Sequence, residues 1–451
     1  MNKIVVRFTY VLVIAFVIYS QDVCTALVGL LFYICFHRLL QSYSKKGVIE
    51  LFDFKNYFLI NYFYIHGVGY FTFLARQELG INWYNHDKVL LAHSLSISII
   101  AILILLFTYN IVCSSKLSFK IEKNIALYDR LRRLRPNKWV ELSLLIFLMF
   151  SFFWYMMGVI PFLTPGFPEE GRTEYGMGLG LIEAFCKSAL NASLLFNIWV
   201  LITKNDFGKT TFLFFLFCAS MFILNDERGS LVYYIISIAM IYYYCKRKFQ
   251  IKHYLVGLLG IVILAGGIGA LRRGEAGEGS GIARIGIEVA TETAVEFDNY
   301  VESFNMFENQ QYLYGSTYVP IFTIPIPRFI FPDKDKFLTA GNYFKEYHGH
   351  DHIRVGERLS YIGELYMNFG YVGIVLGMIF LGWFMAKIVK HYTKKQDLFA
   401  IYFYIQIVNS TVSLIAGDTA TAVVNFIMSN IIVIIYSLYK RTKMRNNYDI
   451  H

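Results

Sequence analysis

Charge is what this chain has least of: only 16% of its 451 residues are Asp, Glu, Lys or Arg, against 56% hydrophobic. Soluble domains carry roughly a quarter charged residues, so the shortage excludes a water-soluble globule and points to a polytopic membrane protein. Cysteine is scarce as well. Its six copies (Cys24, Cys35, Cys113, Cys186, Cys218, Cys245) all sit in or beside apolar runs, which leaves neither a disulfide framework nor a Cys-x-x-Cys metal site. No small-residue cleavage site follows the apolar start around Tyr19-Ser20-Gln21-Asp22, so the first run reads as a retained span. The excess of ten positive charges calls for no nucleic-acid partner, because Lys and Arg collect on the cytoplasmic loops of membrane proteins.

What is present is a series of apolar runs near the roughly 20 residues needed to cross a bilayer. They lie at about 4–20, 23–42, 57–75, 89–113, 139–163, 180–203, 210–225, 230–245, 254–271, 365–387, 397–416 and 419–439. The expectation is therefore an all-α polytopic membrane protein of about 12 transmembrane helices. With the N-terminus inside, alternate loops on that side hold 28 of the 42 Lys and Arg, and the opposite side holds 13, Lys187 being within a span. That bias predicts both termini inside and a long polar island outside, on the periplasmic face of a bacterial inner membrane. Three parts follow: helices over 1–271, a large loop over 272–364, and helices plus a cytoplasmic tail over 365–451.

Within the island, Gly274 to Gly281 reads as a flexible hinge. Ile287, Ala290, Ala294, Phe297, Val301 and Phe304 then recur at helical steps, with Glu288, Glu292 and Glu296 on another face. The pattern predicts an amphipathic helix on the mouth of the bundle with a solvated acidic face, direct substrate contact by those acids being the alternative. Half of the chain's eight prolines follow, at 320, 325, 327 and 332, and predict extended chain that dips into a cavity or lies at the interface.

Arg172, Arg228, Arg272, Arg273, Arg328, Arg354 and Arg358 all fall on the predicted outer side, where charge bias gives them no reason to be. Guanidinium groups gathered at a membrane mouth suit a lipid-linked phosphate or pyrophosphate, since the planar fork grips phosphate oxygens bidentately; pairing with nearby acids is the alternative. The Glu227-Arg228-Gly229-Ser230 turn joins two short spans, which places its charges in a recessed vestibule, with Ser230 able to cap the next helix. Lys187, inside a span, should snorkel or pair with an acid. Glu364 stands where the island re-enters the bilayer; a partly desolvated carboxylate there suits a general base, and helix capping or pairing with Arg358 suits it equally. Asp418 is a weaker candidate of the same kind. His348, His350, Asp351 and His352 offer acid or base groups or sugar contacts, but no second ligand cluster supports a metal, and neither metal nor other cofactor is expected.

Taken in order, Arg172, Glu227-Arg228-Gly229-Ser230, Leu271-Arg272-Arg273-Gly274, Pro327-Arg328 through Pro332, Asn342-Tyr343-Phe344, and Ser360 through Glu364 to Gly370 and Gly373 resemble the bacterial O-antigen polymerase (Wzy) family. The resemblance implies a C-type glycosyltransferase membrane fold. It also implies transfer of a growing glycan from undecaprenyl pyrophosphate to the next lipid-linked repeat unit. The implied partners are undecaprenyl-pyrophosphate-linked oligosaccharides, membrane lipids, a chain-length regulator and a flippase. O-antigen ligases of similar architecture carry a His eleven residues before the first Gly of a Gly-x-x-Gly, a position that is Leu359 here, so polymerase is favoured over ligase. On this reading the arginines hold the donor pyrophosphate, and Glu364, Asp351 or His352 takes the acceptor proton. The rival class is a lipid-linked oligosaccharide flippase or transporter.

Overall fold

The computed structural model describes residues 7, 9–11, 22–46, 50–78, 84–113, 138–164, 179–204, 209–225, 227–245, 249–250, 253–254, 257, 260, 296–308, 310–326, 330–349, 357–394 and 398–448. Every regular element among them is helical. In chain order they are α1 (Val23–Lys46), α2 (Phe54–Glu78), α3 (Lys88–Val112), α4 (Lys138–Met157), α5 (Gly180–Lys204), α6 (Lys209–Leu224) and α7 (Arg228–Cys245). Then come α8 (296–306), α9 (Ala340–Tyr347), α10 (Tyr361–Lys394), α11 (Leu398–Ala416), α12 (Thr419–Ser429) and α13 (Ile431–Tyr448).

Among the described residues, seven helices are long and apolar enough to cross a membrane, eight if α12 and α13, bent by 59° at their junction, count as one span. The apolar helices Thr211–Leu224 and Gly229–Tyr244 are shorter. The chain is thus an all-helical, multi-pass membrane protein. Two expected spans, 4–20 and 254–271, lie mostly outside the described residues.

Polar contacts sort the helix ends into two sets. At one end Asp22 faces Lys88, His86 meets Asp298, and Lys187 meets Glu227. At the other, Arg38 and Lys55 both reach Asn110, and the Tyr244 hydroxyl donates to the Phe52 carbonyl. The first set includes Asp298, which belongs to the island.

Helix α8 is not the surface helix that its spacing predicts. Phe297, Tyr300 and Val301 are fully buried, and so are residues on its other faces, Asp298, Asn299 and Ser303 among them. The Tyr300 hydroxyl donates to the Ser94 carbonyl and accepts from Ser98, on α3. Ser98 also meets His66, which stands in a π-helical turn (Tyr64–Val68) inside α2 and meets the Tyr300 ring edge-on. Glu296, expected in solvent, is buried and paired with Arg358 at 2.8 Å. The apolar stripe was read correctly, but acids with fixed partners need no solvent face. Ile287, Glu288, Ala290, Glu292, Ala294 and the 274–281 hinge lie outside the described residues.

The proline segment also differs from expectation. Pro320 opens a single helical turn (Pro320–Thr323) and Pro332 a 3₁₀ turn (Pro332–Lys336), each at a first position whose N–H would have no partner anyway. Ile324, Pro325 and Ile326 nonetheless line a cavity, as expected of chain that dips inward.

Helix α10 breaks at Gly370, whose φ of 62° and ψ of −150° leave the helical region. A Cβ there would lie 2.7 Å from the Tyr312 ring, so both conformation and space require glycine. The break leaves the Met367 and Asn368 carbonyls without helical partners, and the N–H groups of Leu313 and Tyr314 donate to them. Farther along, Gly382 lets α10 approach α3 so closely that a Cβ would meet the Leu105 carbonyl at 2.6 Å.

Candidate functional site

A cavity of about 1140 Å³ opens between α5, α7, α11 and α12, with 324–326 as its lip. That exceeds the roughly 300–1,000 Å³ of small-molecule pockets, so the space suits a larger ligand. The Lys334 ammonium donates to the Ile324 and Ile326 carbonyls, at 3.1 and 2.9 Å, and so fixes the lip.

One wall carries an ion-pair chain. Lys187 lies 2.9 Å from Glu183, one turn earlier on α5, and 2.7 Å from Glu227. Glu227 in turn accepts from the Asn225 amide at 2.9 Å, and Asn225 accepts from the Trp154 indole at 3.3 Å. Asn225 and Glu227 are buried, as expected for a recessed vestibule. Holding Lys187 between two carboxylates offsets the desolvation of all three charges. It also pins the residue immediately before Arg228, which opens α7. Ser230 stands in the first turn of α7 and lines the cavity, whereas the Glu227 carbonyl accepts from Leu231, so the expected Ser230 cap does not form. The helix begins at Arg228, three residues earlier than a Ser230 cap would place its start.

Behind α12, Glu364 binds three elements. Its Oε2 accepts from the Thr419 N–H at 2.7 Å and the Thr419 hydroxyl at 2.5 Å, and its Oε1 accepts from Thr317 at 3.1 Å. Asn368, one turn on, donates to Thr317 and to the Glu364 carbonyl and accepts from Gly315. Glu364 is fully buried; by accepting from the first N–H of α12 it helps cap that helix, one of the roles expected of it, while Arg358 pairs with Glu296 instead. Both carboxylate oxygens thus accept from protein donors, which ties α10 to α12 and to the 316–318 turn. Asp418 caps α12, accepting from the Thr421 N–H at 2.7 Å.

Of the outer arginines, Arg358 is described: it holds Glu296 while its side chain remains 71% exposed. The backbone of Arg228 is described, at the start of α7 beside the cavity wall. Arg172, Arg272, Arg273, Arg328, Arg354, His350, Asp351 and His352 lie outside the described residues. His348, the remaining member of the histidine cluster, packs against Tyr84 and Phe344 with Glu302 at 3.8 Å. Among the described residues no group of His, Cys, Asp and Glu is arranged to hold a metal ion.

Sequence reasoning passed over the polar faces that line the cavity inside apolar helices. On α11 these are Gln406, Asn409, Ser410 and Ser413, spaced i, i+3, i+4 and i+7, and across from them stand Asn191 and Ser237. The signal was present in the 397–416 run, whose length alone was used. The bend between α12 and α13 is held by the same neighbours: Asn191 donates to the Ser429 carbonyl, Ser188 accepts from Ile432, and Tyr402 donates to Asn430.

The family model described as O-antigen polysaccharide polymerase Wzy matches residues 2–447, nearly the whole chain. No curated protein and no solved structure matches it. The chain therefore belongs to the Wzy family of O-antigen polysaccharide polymerases, and polysaccharide biosynthesis at a membrane is its activity in general terms.

Proposed function

We propose that this Wzy polymerase transfers a growing glycan from undecaprenyl pyrophosphate to the non-reducing end of the next lipid-linked repeat unit, on the periplasmic side of the inner membrane. The observation that carries the reading is the cavity beside the Arg228 turn, whose mouth is charged and whose depth is polar but uncharged. Such a space divides a pyrophosphate-linked glycan by chemistry, with phosphate toward the arginines and sugar toward the amides and hydroxyls. The acceptor hydroxyl oxygen attacks the anomeric carbon of the donor, forming one glycosidic bond. The bond from that carbon to the pyrophosphate breaks, and polyprenyl pyrophosphate leaves with the electron pair. Arg228, Arg272 and Arg273, together with Arg172, Arg328, Arg354 and Arg358, stabilise the charge that develops there, in place of a metal ion. Asp351 or His352 takes the proton of the acceptor hydroxyl. Glu364, enclosed by Thr317 and Thr419, holds α10 and α12 in register around the cavity. A chain-length regulator and a flippase are the partners that such a reaction calls for.

The flippase reading predicts charge at mid-membrane. Among the described residues lining the cavity, the charged side chains are Glu183, Lys187 and Lys334, the first two paired with each other. In cells carrying an inactivated copy of the gene, lipid-linked single repeat units should persist and long polymer should vanish. Persistence of polymer of normal length would refute the reading.

A further inference from the structure

The α11 wall of the cavity holds hydrogen-bonding groups that have no partner among the described residues. In apolar helices, hydroxyls usually bond back to a carbonyl of the preceding turn. Ser94, Ser96, Thr108, Ser237 and Thr411 all do so here. Ser410 and Ser413 do not, and Gln406 makes no hydrogen bond to any described residue although only 8% of it is exposed. Asn409, 7% exposed, donates to Ser237 at 2.7 Å, and its Oδ1 is buried without a partner among the described residues. By contrast, the α12–α13 bend has its freed backbone groups met by Asn191 and Ser188. A buried polar atom left unmade costs about 1–3 kcal/mol, and Asn409 Oδ1 is one; Gln406, Ser410 and Ser413 continue the same face along the cavity with no hydrogen-bond partner among the described residues, so the face is one that a ligand completes.

The depth and sign of the stripe define that ligand. Gln406 is ten residues from the end of α11 at Ala416, which at 1.5 Å per residue puts it about 15 Å in, near the middle of a ~30 Å hydrocarbon core. At that depth α11 offers amides and hydroxyls, each both donor and acceptor, and no charged side chain. A hydroxyl has the same double capacity. A carboxylate accepts only and would face the amide and hydroxyl lone pairs, and the lysine at comparable depth in the lining, Lys187, is already held by Glu183 and Glu227.

We infer that the Gln406–Asn409–Ser410–Ser413 face seats an uncharged, hydroxyl-rich sugar of the repeat unit, and that the enzyme discriminates against a uronic or other acidic sugar at this position. The inference rests on the polymerase reading and narrows it to neutral hexose or N-acetylhexosamine units.

The test uses the full chain in lipid nanodiscs with methyl glycosides of glucose, galactose and N-acetylglucosamine, and methyl glucuronide as the charged counterpart, binding being read by saturation-transfer NMR. At least one neutral glycoside should bind at least tenfold more tightly than the glucuronide. Gln406→Leu and Asn409→Leu should each weaken it at least fivefold. Ser410→Ala with Ser413→Ala, which removes no contact within the described protein, should weaken binding with thermal stability unchanged, so the test survives a folding defect in the other two. Equal binding of the glucuronide, no binding by any neutral glycoside, or unchanged binding by the serine variant would each overturn the inference. Glycosidic bonds formed by a chain that binds no neutral glycoside would sink the subsite and leave the polymerase. Glycoside binding without bond formation would do the reverse.

Discussion

Glu364 and Thr419, 55 positions apart, are joined twice: one carboxylate oxygen accepts from both the N–H and the hydroxyl of the threonine. The pair locks the start of α12 to the start of α10, and Thr317 adds the island loop to the same carboxylate. Glu364→Ala would leave these donors buried and unmet, at about 1–3 kcal/mol each. A brace predicts that Thr419→Val and Glu364→Ala lower the unfolding temperature together and that Glu364→Gln keeps partial polymerisation. Abolished turnover in Glu364→Gln at unchanged stability would instead make the carboxylate the base.

Lys187→Met should strand Glu183 and Glu227 without their shared cation. Breaking a buried pair costs roughly 3–5 kcal/mol, reduced here to about 2 kcal/mol because the lysine side chain is 30% exposed. Pairing it with Glu227→Gln should recover much of the loss, as measured by thermal unfolding in detergent. Additive losses in the double variant would show that the two residues are not coupled.

Arg228→Ala and Arg273→Ala should remove long polymer and leave single repeat units, with expression and folding intact. Gel ladders of the surface polysaccharide read this directly. Undiminished chain lengths in both would end the pyrophosphate role.

Gly370→Ala should destabilise the chain by about 1–3 kcal/mol, because alanine at a φ of 62° is strained and its methyl group would press on the Tyr312 ring. The loop 312–318 should become more open to proteolysis. A variant of unchanged stability would mean that α10 tolerates closing its break.

Asp298 and Glu302 flank His86, with Arg76 acting on Asp298 and His348 near Glu302. Burial raises both carboxyls, opposed at Asp298 by the hydrogen bond to His86, and at Glu302 by Asn305 and His86. A carboxyl raised on folding contributes stability that is complete below its ordinary value, 3.8 for Asp and 4.5 for Glu, and is lost as pH climbs through the raised one. Amide protection of α8, corrected for intrinsic exchange, should therefore fall on going from pH 4 upward. The Asp298→Asn, Glu302→Gln variant should show a flatter profile, and an unaltered slope would contradict the assignment.

Most helix positions were legible from apolar run length, because that length is set by the bilayer alone. Of the partners of Lys187, Glu183 was legible as an i, i+4 pair, but Glu227 reaches it only once α5 and the turn before α7 pack. Likewise Glu364 was visible as a carboxylate at a span start, but Thr419 and Thr317 are ordinary residues until the fold surrounds it. The α8 helix misled because its spacing records an apolar stripe and says nothing of what meets its acids. The α11 stripe was legible and unread: four polar residues at helical spacing in a span are a face, whatever the run's mean hydropathy.

The most direct test of the central claim is reconstitution of the purified chain in liposomes with polyprenyl-pyrophosphate-linked repeat units, followed by mass analysis of the glycan. The account predicts products longer by whole repeat units, with polyprenyl pyrophosphate released one for one with the bonds formed. Reorientation of the lipid across the bilayer with no new glycosidic bond would contradict it.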